Sequence, residues 1–112
     1  MKYHKYKAKK TKIDNITFDS LKEAKRYKEL KLLERAKKIQ DLQIQPCFIL
    51  QDSFKHKGET HRAIKYIADF SYSMDGVTYI EDVKGFKTDI YNLKKKLFLK
   101  KYGEECIFKE IS

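Results

Sequence analysis

The chain has 112 residues, the size of one domain, and can bury roughly two thirds of its unfolded surface in a single core without covalent staples. It carries 26 Lys plus Arg against 16 Asp plus Glu, a net charge of +10 that favours a polyanionic partner, nucleic acid first among them. No apolar run approaches the ~20 residues needed to cross a bilayer and no signal peptide opens the chain. Cys47 and Cys106 make neither a CxxC pair nor a disulfide framework, so a soluble, cytoplasmic protein with reduced thiols and no membrane partner is expected.

Residues 1–12 are Lys-rich without a carboxylate and read as a basic N-terminal arm, leaving 13–112 as one domain. Asp14-Asn15 sits between β-formers and predicts a short hairpin over 13–18. Ser20-Leu21-Lys22-Glu23 has capping-box spacing, and the Ala-, Leu-, Lys- and Glu-rich stretch after it predicts a helix to about residue 38. Residues 42–51 alternate around Pro46, which predicts a strand near a sheet edge or one beginning after the proline, and the polar stretch 52–60 reads as a loop. Strands over 62–73 and 77–83 form a hairpin about Asp75-Gly76, a strong turn pair. Thr88 or Asp89 caps a second helix to about residue 101, with Ile90, Leu93, Leu97 and Phe98 on one face, and Gly103 stops it before a last strand over 106–111. The order predicts an α/β (or α+β) domain, a mixed sheet flanked by helices.

Two strands carry carboxylates among apolar β-formers: Asp69 in Tyr66-Ile67-Ala68-Asp69-Phe70, and Asp82 in Ile80-Glu81-Asp82-Val83-Lys84-Gly85. Asp is disfavoured in strands, and a buried charge is costly unless paired or bound to metal. Period two puts Asp82 and Lys84 on one face and turns Glu81 to the other. A turn centred on Asp75-Gly76 sets Asp69 opposite Asp82, with Cβ atoms ~5 Å apart. Two such carboxylates repel unless a cation lies between them, and Mg²⁺ or Mn²⁺ is the natural occupant, with Lys84 beside it to stabilise a developing phosphorane. The plainer alternative is a solvated polar cluster with a weak Asp82–Lys84 pair. Glu23 is either a further member of the site or the N3 carboxylate of the cap.

In order, Phe18-Asp19-Ser20-Leu21-Lys22-Glu23-Ala24, Gln45-Pro46, Tyr66-Ile67-Ala68-Asp69-Phe70, Glu81-Asp82-Val83-Lys84-Gly85 and Leu93-Lys94-Lys95-Lys96-Leu97-Phe98 resemble the PD-(D/E)XK nuclease superfamily, and more closely a family of small phage-encoded endonucleases within it. Ala68 stands where that superfamily often has Pro, and Asp82 where Glu is commoner, so the resemblance assigns the ligand to Asp82 and leaves Glu81, on the opposite face, as the fallback. The resemblance implies a restriction-endonuclease-like core, an Mg²⁺-dependent endonuclease with Asp69, Asp82 and Glu23 as metal ligands, and Lys84 as the catalytic lysine. It also implies DNA as partner, branched or recombination intermediates such as Holliday junctions as substrates, a homodimer, and the bacterial cytoplasm if the chain is phage-encoded. Arg62, Lys65, Lys87, Lys94, Lys95 and Lys96 are the expected phosphate contacts. The competing readings are a non-catalytic DNA-binding accessory protein on the same fold and an RNA-directed module, for which no RNP-like signature is present.

Overall fold

The computed structural model describes residues 10–112. The helices begin where the sequence supplies caps. Ser20 Oγ accepts from the Glu23 N–H at 3.1 Å and opens α1 (Leu21–Arg35); Thr88 Oγ1 accepts from the Tyr91 N–H at 3.0 Å and opens α2 (Asp89–Tyr102). Each cap satisfies one of the donors a helix start leaves unpaired. α1 ends about three residues earlier than its composition predicts, because Lys37 takes a left-handed φ of 61° and closes the turn there.

Among the described residues ten strands join the two helices and a short 3-10 turn (Gly103–Glu105): β1 (Thr11–Ile13), β2 (Ile16–Phe18), β3 (Gln40–Ile44), β4 (Cys47–Gln51), β5 (Phe54–His56), β6 (Glu59–His61), β7 (Ile64–Ile67), β8 (Phe70–Met74), β9 (Val77–Val83) and β10 (Ile107–Ile111). The first hairpin turns at Asp14-Asn15 as expected, both residues at positive φ. Thr11 and Lys12 already belong to β1; the rest of the basic arm, residues 1–9, lies outside the described residues. The central sheet has the order β10-β9-β8-β3, with β9 and β10 parallel and the other pairs antiparallel. The molecule is thus mixed α/β with a mixed sheet. α1 covers one face, where Ala24, Tyr27 and Leu30 pack with Phe18, Phe70, Tyr72 and Val83; α2 covers the other, where Tyr91 and Phe98 pack with Tyr66, Ala68 and Ile80. Neither helix is long and apolar enough to cross a membrane.

α2 is rolled relative to the expected face. Phe98 is buried as expected, but its buried partner two turns earlier is Tyr91, while Ile90 is 67 % exposed and Leu93 and Leu97 are also exposed. Aromatic mass decides the roll. Phe98 meets the rings of Phe48, Tyr66, Tyr102 and Phe108 at 4.9–5.6 Å, and the Tyr91 ring lies 6.4 Å from that of Tyr66.

The chain between α1 and β9 departs most from expectation. The predicted strands 42–51 and 62–73 are one long antiparallel ribbon with a corner in it. Ile44↔Phe70 and Cys47↔Ile67 share one register, yet β3 and β8 lie in the central sheet while β4 and β7 leave it. Gln45 at φ 53° and Pro46 make the bend on one strand, opposite Ala68-Asp69 on the other. The Gln45 N–H donates to Asp69 O at 2.9 Å and the Ala68 N–H to Pro46 O at 3.0 Å, so the corner keeps its hydrogen bonds. The predicted loop 52–60 is instead the far end of this ribbon: β5 pairs with β6 about Lys57-Gly58, both at positive φ as a type I′ turn demands.

Candidate functional site

β8 and β9 pair in the expected register as far as Phe70↔Glu81, so Asp69 comes level with Asp82. The ribbon corner puts Asp69 off the ladder. Its N–H donates to Glu81 O at 3.0 Å, and its Oδ2 accepts from the Val83 N–H at 2.6 Å. Asp82 follows on β9 with a side chain only 1 % exposed. Asp82 Oδ2 accepts from the Tyr66 hydroxyl. Lys84 Nζ stands 3.1 Å from Asp82 Oδ1, but no N–H is aligned on that oxygen, which lacks a hydrogen-bond partner although it is buried. The charges touch; the hydrogen bond is missing. The Lys84 ammonium also lies 4.4 Å from the centre of the Tyr91 ring, which holds it over the site.

The electrostatics record the crowding. Burial raises the Asp69 carboxyl to about 7; the Val83 N–H opposes this, Glu23 and Asp82 add to it, and Lys84 offsets part. Burial, then Asp19, raises the Glu23 carboxyl, while Ser20, the Asp19 backbone and Lys84 favour its charge. Glu23 therefore stands at the cap and within the field of Asp69 and Lys84. Burial and the bond to Asp82 raise the Tyr66 phenol, so it stays a donor.

Glu81, the fallback ligand, is committed elsewhere. It points to the α1 face with no exposure, where Arg26 Nε and Nη2 grip its two oxygens at 2.7 and 2.6 Å and the Tyr72 hydroxyl donates at 2.5 Å. Burial pushes its carboxyl up, but these donors outweigh burial and the net shift is downward. Sequence reading had no means of finding Arg26, which lies 55 residues from Glu81.

A second unforeseen residue is Glu110, the register partner of Asp82 on β10. The Tyr91 hydroxyl donates to it at 2.6 Å and Lys87 and Lys95 each approach to 3.1 Å; these partners, Tyr91 first, hold its carboxyl down at about 2. A Glu inside an apolar strand, the signal that drew attention to Asp82, was present in 106–111 as well. Of the expected phosphate contacts, Lys87 and Lys95 are therefore gathered at Glu110 beside the acidic site. Lys94 is half-buried on α2 and Lys96 exposed there, while Arg62 and Lys65 lie exposed on the ribbon.

Among the described residues no three His, Cys, Asp or Glu side chains converge as a metal cluster, so Glu23, Asp69 and Asp82 do not form a ready three-ligand cage. The donor set still fits a hard divalent cation. Mg²⁺ commonly takes one or two carboxylates and completes its shell with water and substrate phosphate. Asp82 offers a buried oxygen without an aligned donor, and Asp69 a carboxyl whose ionisation a nearby cation would favour.

A family model described as "Protein of unknown function (DUF1064)" matches residues 3–110. No curated protein and no solved structure matches the chain.

Proposed function

The chain belongs to the DUF1064 family, and we propose that it is a metal-dependent endonuclease that hydrolyses DNA phosphodiester bonds on a restriction-endonuclease-like core. One observation carries the reading: a carboxylate buried to 1 % exposure holds an oxygen without an aligned donor, beside a second carboxyl raised to about 7 and a lysine at 3.1 Å. Perturbed, clustered acids of this kind are a common mark of a functional site. A purely structural pair would have its hydrogen bonds complete, as Glu81 does on the opposite face.

In this reading Asp69 and Asp82 hold Mg²⁺ or Mn²⁺, with Glu23 at the open edge from α1. A bound divalent ion would polarise a phosphoryl oxygen and ease ionisation of a water. Tyr66 fixes the Asp82 carboxylate by donating to its far oxygen. Lys84, held over Tyr91, places a positive charge where negative charge grows on the phosphorus oxygens. Lys87 and Lys95, drawn to Glu110, and Lys94 and Lys96 on the same helix form a basic rim for the DNA backbone. The substrate proposed is branched DNA, cut by a pair of copies of the chain.

One observation favours a second reading, a DNA-binding protein of the same fold without catalysis: no three-residue metal cluster stands assembled among the described residues. Cleavage of a labelled four-way junction, beside matched duplex and single strand, separates the two. Mg²⁺, Mn²⁺ and EDTA are compared, with wild type against Asp82→Asn. Metal-dependent junction cutting that the substitution abolishes is the expected result. Equal cutting of every DNA would keep the nuclease and remove the branched substrate. Binding without cutting in either metal would leave the second reading.

A further inference from the structure

The distal half of the β4–β7 ribbon has no core to serve. Every residue from 51 to 60 is exposed, so this two-stranded extension is solvated on both faces. A free two-stranded hairpin in water is marginal at best, and chain that forms one without burying anything is shaped for a partner. The base, by contrast, is anchored: Phe48 and Tyr66 pack on Phe98 of α2.

The charges on this extension are sorted by face. Gln51↔Ile64 and Phe54↔His61 share one register, so residues 52 and 53 face 63 and 62 across the gap between them. Two-residue alternation then puts Ser53, Lys55, Thr60 and Arg62 on one side, two cations and two hydroxyls with no carboxylate. Both acids of the extension, Asp52 and Glu59, fall on the other side, around the Phe54–His61 stack at 4.9 Å. Lys57 adds a third cation at the tip turn. Random decoration of a soluble loop has no reason to separate the signs in this way.

We propose that this ribbon is a DNA-reading arm that enters the major groove of duplex DNA beside the cleavage site, with its Lys55–Arg62 face and its Lys57 tip against the phosphates. The groove is about 12 Å wide and admits a two-stranded ribbon as readily as a helix. From Cys47 to the tip the arm reaches on the order of 30 Å, about one turn of duplex. At its root, Tyr66 donates to Asp82, so the arm and the acidic site share a residue and DNA held by one is registered to the other. The inference rests on the DNA reading above and adds the element, the groove and the residues.

Dimethyl sulfate methylation of guanine N7 reports major-groove occupancy directly. The probe is a guanine-rich linear duplex, with protein bound in EDTA so that the DNA stays whole. Wild type should protect a cluster of N7 atoms, and the triple variant Lys55→Ala, Lys57→Ala, Arg62→Ala should lose that protection. The slope of log affinity against log salt should fall by about 2.7 in the triple variant, roughly 0.9 for each of three phosphates. A second variant with residues 52–63 replaced by Asn-Gly should behave alike, its folding checked by a cooperative melt. Wild-type binding that leaves N7 open, or a triple variant with an unchanged slope, overturns the arm. Metal-dependent cutting by wild type with N7 open overturns the arm and leaves the nuclease. N7 protection on the duplex with no cutting of the four-way junction in Mg²⁺ or Mn²⁺ overturns the nuclease and leaves the arm. Failure to bind duplex overturns the arm and leaves the nuclease to the junction assay.

Discussion

At the scale of residues, Glu81 and Asp82 are chain neighbours with opposite fates, and strand alternation separates them. Glu81 is sealed under α1 with three donors; Asp82 faces α2 with one oxygen hydrogen-bonded and the other held only by the charge of Lys84. Arg26→Met would leave the Glu81 carboxylate buried with only Tyr72 to serve it, at a cost of about 3–5 kcal/mol. Glu81→Gln should cost less, because Arg26 is 22 % exposed and can take up water. The double variant Arg26→Met, Glu81→Leu removes both charges and should recover most of the single loss. Urea midpoints measure all three, and a double variant weaker than Arg26→Met alone would refute the account. The facing of Asp82 and Lys84 was legible in the sequence, because local period two decides it. The Arg26 and Glu110 partnerships were not, since each depends on how distant elements pack.

At the scale of elements, the sequence disclosed most where a signal was local. The β8–β9 register followed from the Asp75-Gly76 turn, and both helix starts from their caps. Reading failed where packing decided. The α2 stripe Ile90, Leu93, Leu97 has helical spacing, but Tyr91 and Phe98 offer more ring surface to Phe48, Tyr66 and Phe108, so the helix rolls towards them. The ribbon extension, with neither face buried, has no hydrophobic alternation for a reader to find. Pro46 marks a strand start in the sequence, and β4 does begin at Cys47; that β3 runs into the same bend and sets Asp69 beside the sheet depends on the pairing across the ribbon. Leu93→Lys should therefore change stability by no more than about 0.5 kcal/mol, as a surface substitution does. Phe98→Ala should cost about 3–5 kcal/mol for the cavity it opens in the second core. Thermal melts that show Leu93→Lys as damaging as Phe98→Ala would mean that the exposed stripe is covered by another surface in solution.

At the scale of the whole molecule, the acids pull the pH profile of stability in opposite directions. Glu81 and Glu110 are held below their ordinary values, so the stability they lend is complete above about pH 4.5 and drains away as pH falls through their folded values. The net charge of +10 grows as carboxylates protonate, and self-repulsion steepens that acid limb. Asp69 acts the other way. Its folded value of about 7 lies above the ordinary ~3.9, so between the two the folded chain holds a proton that the unfolded chain has released. Stability must then fall as pH rises from about 4 to 7, and level off beyond. Together the limbs place the metal-free optimum on the acid side of neutrality. In EDTA, Asp69→Asn should flatten the limb between pH 5 and 7 while leaving the acid limb as it was, since Glu81 and Glu110 are untouched. A divalent ion that binds Asp69 and Asp82 supplies the missing positive charge only while Asp69 is intact. Adding Mg²⁺ at pH 8 should therefore raise the wild-type Tm, by an amount that grows with concentration, and leave Asp69→Asn nearly unmoved. Equal responses from the two proteins would place any bound ion away from Asp69, whatever the chain does to DNA.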